Sequence, residues 1–217
     1  MEDIVICGAG GFARDVAHLI ELINTNEKKW NLIGFIDENT ELTSKLLNGF
    51  PVIGDELWFE NRENPINVAL GVGSPKIKEK IVNKLEKFGE KIKYPSLIHP
   101  NISISKTNNM GKGVIVCEGS VLTCNITIHD FVTINLNCTI GHDTIIEEYA
   151  TISPSASISG NVHIHQSVYF GTGATIIEKL TVGRGTIVSA GAVVFKDLPM
   201  KCTAMGNPAR PMVFHEE

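Results

Sequence analysis

The chain has 217 residues, 43% hydrophobic and 20% charged, with a formal net charge of −5 and a pI near 5.8. Those values fit an ordinary globular protein of one or two domains and exclude the basic footprint of a general nucleic-acid binder. No apolar run approaches the ~18 residues that a membrane span needs, so no membrane insertion is expected. The opening MEDIVICGAG has no basic region followed by a cleavage pattern, so no signal peptide is expected. Cys7, Cys117, Cys124, Cys138 and Cys202 are scattered without CxxC or zinc-ribbon spacing. They read as reduced thiols of a cytoplasmic protein.

DIVICGA (3–9) is a short β-branched run that ends in glycine, which predicts a buried strand. A helical pattern follows to about Leu22, with Ala17, Leu19, Ile20 and Ile23 on its apolar face. LIGFID (32–37) is a second strand, PVIG (51–54) a short edge piece, and INVALGVG (66–73) a third strand. Ser74 and Pro75 stand at the Ncap and N1 places of a helix running to Gly89. The order β, α, β, β, α over residues 1–92 predicts a small, Rossmann-like α/β domain with a parallel sheet.

Residues 93–217 follow another rule. From Pro95 to Lys196 the sequence divides into uninterrupted hexads, and the fourth place of each is apolar, from Ile98 through Ile140 and Phe170 to Val194. The second place is usually small or β-branched, as in Val114, Ala150, Ala156 and Ala192. Period six is neither the 3.6 of a helix nor the 2 of a flat strand. It fits a coil of three short strands, about 18 residues per turn, which is a hexapeptide parallel β-helix. KYPSLIHP (93–100) is expected to form a first irregular coil, and residues 197–217 an extended tail that caps the far end.

Four places are candidates for chemistry. Gly8, Gly10, Gly11, Phe12 and Ala13 spell G-x-G-x-x-A between a strand and a helix, where backbone amides and the helix dipole attract phosphate. Asp37 ends the next strand, in reach of a ribose or a base, and Gly73 ends the third. A plain tight turn is the alternative. About 90 residues is short for a full dinucleotide domain, so a nucleotide or nucleotide-sugar fits better. His142 stands at a coil corner with Asp143 beside it and Gly160 one turn later, leaving room over the ring for a general base. Gly171, Thr172, Ala190 and Gly191 form small-residue corners along which a long ligand can lie, or which simply turn the chain. His163 and His165 flank inward-facing Ile164, as a candidate metal pair or as two solvated side chains.

The hexads, the GNPAR at 206–210 and the stretch NCTIGHDTIIEEYATISPSASISGNVHI resemble the hexapeptide-repeat acyltransferases. ICGAGGFARDV followed by GFIDE resembles one subgroup, which acetylates nucleotide-linked amino sugars and includes sialic acid O-acetyltransferase-like proteins. The resemblance implies a left-handed β-helix, an exception to the usual crossover hand, and a homotrimer with active sites between subunits. It implies His142 and Asp143 as the catalytic pair and no required metal. Acetyl-CoA would lie past Gly160, Gly171, Thr172, Ala190 and Gly191, with Gly206, Asn207 and Pro208 nearby. Gly8, Gly10, Gly11, Phe12, Ala13, Asp37 and Gly73 would hold the nucleotide of an amino-deoxy sugar. Two departures bear on the sugar: Thr151 where some members carry a second histidine, and Phe12 where the bacillosamine enzyme has a polar residue. Sugar O-acetylation, a metal-dependent hydratase of the γ-carbonic-anhydrase kind, and a non-catalytic nucleotide-sugar binder are the alternatives.

Overall fold

The computed structural model describes residues 1–60 and 62–215 and divides them into two compact units, Met1–Pro100 and Asn101–Glu217. The division falls later than the 92/93 boundary expected from the change of pattern. No helix among the described residues is long and apolar enough to cross a membrane.

The first unit is built on a six-stranded sheet. Its strands are β1 (Glu2–Cys7), β2 (Trp30–Ile36), β3 (Leu46–Leu47), β4 (Phe50–Gly54), β5 (Ile66–Leu70) and β6 (Ile92–Lys93), in the order β3-β4-β2-β1-β5-β6. All neighbours are parallel except the β3–β4 hairpin. PVIG therefore does not form the edge, because β3 covers it; two-residue β3 and β6 are too short to carry a period. β1 and β5 are continuous apolar runs because both faces of a parallel strand are covered; Ile4, Val5, Ile6 and Val68 are fully buried. Helix α1 (Gly11–Asn26) outlasts the predicted Leu22. The Asn24 side chain explains the extension: it accepts from the Trp30 and Lys29 amides and donates to the Trp30 carbonyl, tying the last helical turn to β2. Helix α2 (Pro75–Leu85) starts after Ser74 as expected, but the Ser74 hydroxyl makes no capping hydrogen bond.

The second unit is a parallel β-helix of three faces. The first face stacks Val121–Leu122, Thr139–Ile140, Ser157–Ile158, Thr175–Ile176 and Val193–Val194. The second stacks Asn109–Met110, Thr127–Ile128, Ile145–Ile146, His163–Ile164 and Thr181–Val182. The third carries Ile115–Val116, Thr133–Ile134, Thr151–Ile152, Tyr169–Phe170 and Ile187–Val188. Each residue pairs with the one 18 positions on, as Thr139 with Ser157 and Ile145 with His163. Fourth-place side chains such as Ile134, Ile152, Ile164 and Val188 are fully buried, each contributing roughly 1.5–3 kcal/mol relative to exposure. Second-place residues fill the space between them, and the polar ones satisfy themselves on carbonyls: Ser120 Oγ donates to Asn135 O and Thr144 Oγ1 to Ser159 O.

The corners have one conformation throughout. Every hexad from Gly113 to Gly191 begins with a residue at φ between +55° and +75°, including Asn125, Phe131, Asp143, Tyr149 and Lys179. Asn, Asp and Gly reach this left-handed region most readily; at Phe131 and Tyr149 the two rings stack one coil apart, with centroids 5.3 Å apart.

Both ends depart from the hexad rule. Ile104 belongs to no strand and is 37% exposed, so the apolar fourth place does not guarantee an inward side chain where no coil lies beneath. The C-terminal segment is more than an extended tail. Cys202–Met205 adds a parallel strand to the third face, and Arg210–Phe214 folds back antiparallel to it.

Candidate active site

At the carboxyl ends of β1, β2 and β5 the first unit forms a cavity of about 250 Å³. Gly8, Asp37, Phe59, Val72, Ile77 and Ile81 line it. This is the point where strand order reverses around β1, the usual ligand crevice of an open parallel sheet. The first turn of α1 offers amides without intrahelical partners. Gly10 is its Ncap, no side chain caps it, and no acidic residue stands in that turn. Asp37 clamps the approach to it: Oδ2 accepts from the Ala9 amide at 2.7 Å and Oδ1 from the Asn39 amide at 2.9 Å. Asp37 and Gly8 therefore share the cavity, while Gly10, Gly11, Phe12, Ala13 and Gly73 lie outside its lining. Gly71, at the end of the third predicted strand with Gly73, does not line the cavity and is needed for packing: a Cβ there would stand 2.7 Å from Ala13 Cα. At the mouth Lys84 bridges Glu38 and Glu56, and Lys80 reaches Glu38. Burial, with Asp37 and Glu56 adding to it, pushes the Cys7 thiol up to about 12, so this cysteine is unreactive.

In the second unit His142 and Asp143 occupy the corner between the first and second faces. His142 Nδ1 lies 2.7 Å from Asp143 Oδ2. A carboxylate only accepts, so Nδ1 carries the proton and Nε2 the lone pair. Nε2 lies over Gly160, where an added Cβ would come within 2.6 Å of it. The other oxygen of Asp143 accepts from Asn125 Nδ2 at 3.1 Å. Asn125 went unnoticed in the sequence, although it stands 18 residues before Asp143. Hydrogen bonds from His142 and then Asn125 hold the Asp143 carboxyl below its ordinary value. Both side chains are open to solvent, 58% and 44% exposed. The result is an imidazole oriented by Asp143 and seated against Gly160, with no hydrogen bond to Nε2 among the described residues.

The small-residue corner lies elsewhere. Gly171, Thr172, Ala190 and Gly191 sit between the third and first faces, with the Gly191 amide bonded to the Thr172 carbonyl at 2.8 Å. The GNPAR turn is held to the top of the first face: Val193 N donates to Gly206 O and Ala209 N to Val193 O. Gly206 has φ +97°, and the Asn207–Pro208 peptide is cis. Within one chain, then, the candidate cofactor corner and the His142 corner stand at the two ends of the first face. Gly160 alone of the cofactor candidates lies against His142. Thr151 is on the third face, its hydroxyl buried and without a hydrogen-bond partner among the described residues.

His163 and His165 are not simply solvated. Both point at one oxygen of Glu147, with His163 Nε2 at 2.7 Å and His165 Nδ1 at 3.0 Å from Oε1. Burial pushes the Glu147 carboxyl up, but hydrogen bonds from His163, the Gln166 amide and His165 outweigh it and leave it below its ordinary value.

Comparison with known proteins places these features in a family. Residues 3–85 match the PglD N-terminal domain. The acetyltransferase domain of PglB from Neisseria gonorrhoeae FA1090 is 34% identical, with a TM-score of 0.88 over 98% of this chain and 100% of that one. PerB from Caulobacter crescentus, solved in complex with CoA and GDP-perosamine, is 28% identical with a TM-score of 0.88 over 98% of both chains. GDP-perosamine N-acetyltransferase of Escherichia coli O157:H7 is 29% identical over 95% of both chains. The three-faced coil is thus a left-handed β-helix, and the chain belongs to the hexapeptide-repeat acetyltransferases that carry a PglD-type N-terminal domain.

Proposed function

We propose that the protein is an acetyl-CoA-dependent N-acetyltransferase acting on the amino group of a nucleotide-linked amino-deoxy sugar, of the 4-amino-4,6-dideoxy type, in surface-glycan biosynthesis. The observation that carries this is the His142–Asp143 pair, with Nδ1 held at 2.7 Å and the ring seated on Gly160 with Nε2 left without a hydrogen-bond partner among the described residues. Acetyl-CoA supplies an acyl group activated as a thioester. As the acceptor amine forms its C–N bond at the thioester carbonyl, His142 Nε2 takes the proton it loses and Asp143 steadies the imidazolium. The C–S bond then breaks, and the coenzyme A thiolate leaves and takes that proton up as the thiol. The N-terminal unit holds the nucleotide, its phosphates at the uncapped start of α1 and its base or ribose in the cavity beside Asp37. That PerB was solved with both CoA and GDP-perosamine bound supports an acyl donor and a nucleotide-linked amino sugar as the two ligands.

The chain works as a homotrimer with active sites between subunits. The separation of the Gly171–Gly191 corner from His142 supports this, because a neighbour's corner can complete what one chain keeps apart. Exposed Ile187, Met205, Met212, Val213 and Phe214 at the C-terminal end of the third face offer apolar surface for that packing. The test is release of coenzyme A thiol from acetyl-CoA with a panel of nucleotide-linked 4-amino sugars and sialic acids. Turnover with an amino sugar that fails with its 4-hydroxy analogue is expected; turnover confined to hydroxylated acceptors refutes N-transfer.

A further inference from the structure

We propose that Glu147, His163 and His165 bind one divalent transition-metal ion at a site separate from the acyl-transfer centre. One donor atom from each side chain lies within 4.8 Å of the others. Two of the three separations, 2.7 Å and 3.0 Å, are already close to the edge of a tetrahedron. An ion with bonds of about 2.0–2.1 Å needs donor separations of roughly 3.3–3.4 Å. The cluster has to open by roughly 0.3–0.7 Å along these edges. The two imidazole rings lie side by side, centroids 4.0 Å apart and planes 30° from parallel, with both aimed at the same oxygen.

The scaffold holds these donors where they are. Glu147 and His165 occupy the fifth place of hexads one coil apart, and the Glu147 amide bonds to the Ile164 carbonyl. His163 lies two residues before His165, on the same side of its strand. Backbone bonds to Leu180 and Val182 fix both histidines to the coil above. The Gln166 amide donates to Glu147 Oε2 at 2.9 Å, which turns Oε1 toward the rings. Such outer hydrogen bonds are what preorganise a metal ligand. The side chains are half-buried, so three protein ligands leave a position open to water, as in three-ligand zinc sites.

Two imidazoles and a carboxylate suit Zn²⁺, Co²⁺ or Ni²⁺, whereas Mg²⁺ and Ca²⁺ prefer sets made of oxygen alone. The site closes the end of the second face, and His142 with Asp143 opens that face on the same coil. The ion therefore joins two consecutive coils and takes no part in proton transfer.

The full-length protein, stripped with a chelator and dialysed, is titrated calorimetrically with Zn²⁺ and, separately, with Mg²⁺ and Ca²⁺. One Zn²⁺ per chain is expected to bind at micromolar concentration or tighter, to raise Tm by several degrees, and to leave the rate of coenzyme A release unchanged. Glu147→Gln and His165→Gln are each expected to weaken Zn²⁺ binding by ~10-fold or more, with His163→Asn as a third variant should either fail to fold. Absence of saturable Zn²⁺, Co²⁺ and Ni²⁺ binding overturns the proposal. So does Zn²⁺ binding that these variants leave unchanged, which assigns it to other surface histidines.

Discussion

The two histidine–carboxylate corners of the second face make an instructive pair. One holds a single imidazole against an adjacent carboxylate, with a glycine over the ring and more than half of the side chain in solvent. The other holds two imidazoles against a carboxylate from the coil below, with the second carboxylate oxygen tied to the backbone. In the first, one ring nitrogen is engaged and the other has no hydrogen-bond partner among the described residues, the requirement for a base that must meet a moving proton. In the second, nitrogens converge on a single point, which suits a fixed centre. The same residue types on the same rigid coil thus diverge in chemistry through what stands one coil away, a glycine at one corner and a histidine at the other.

The sharpest way to break the comparison is to remove the base. His142→Ala is expected to lower kcat by ~10²–10⁴-fold, whereas removing either imidazole of the other corner leaves kcat within about twofold of wild type. Steady-state thiol release measures both, and a comparable loss at His165 means the two corners are not separate. Gly160→Val tests the cleared space: its side chain meets the ring at Nε2 and Cε1. A displacement of this size costs about 10²-fold in kcat, with folding checked by an unchanged far-UV spectrum.

Asp143→Asn keeps the shape of the pair and removes its charge, and a loss of about tenfold is expected, below the ~10²–10⁴-fold of the base itself because Asp143 acts through His142 and the pair is solvated. Its pH dependence has a definite sign. The Asp143 carboxyl is held below its ordinary value, so its support for the imidazolium is fully present above the ordinary carboxylate range. That support is lost only as pH falls through the lowered value. The ratio of the wild-type rate to that of the Asp143→Asn variant is therefore expected to stay flat from neutral pH down to about the ordinary carboxylate pKa near 4 and to shrink below it. Glu147→Gln closes the series, with a change in folding free energy, without added metal, of about 1 kcal/mol or less in chemical denaturation.

The hexad register was legible because an error of one residue would misplace every later coil, and the unbroken run of apolar fourth places from Ile98 to Val194 leaves no room for it. The same register located Gly160 over His142 by adding 18. It would also have found Glu147 beneath His165 and Asn125 beneath Asp143 by subtracting 18, since a pairing between coils is invisible until that step is taken. Ile104 shows the limit of the rule: its position in the pattern is correct, but burial needs a neighbouring coil as well as a period. In the first unit the long strands β1 and β5 announced themselves through apolar runs. The two-residue β3 and β6 did not, because so short a strand is fixed by its partner and carries no pattern of its own. Asp37 was legible as a candidate ligand contact, yet its role in clamping Ala9 and Asn39 depends on loop geometry that residue types do not encode.

The uniform left-handed residue at each corner makes the β-helix behave like a reading frame. Removing six residues between His142 and Gly160 would keep every corner foldable but turn all later coils by one face, setting Gln166 over the histidine. Removing the eighteen residues 143–160 would restore every face and place Glu178 there instead. The coil tolerates change in units of its own turn, and what the histidine meets is decided by which turn is lost.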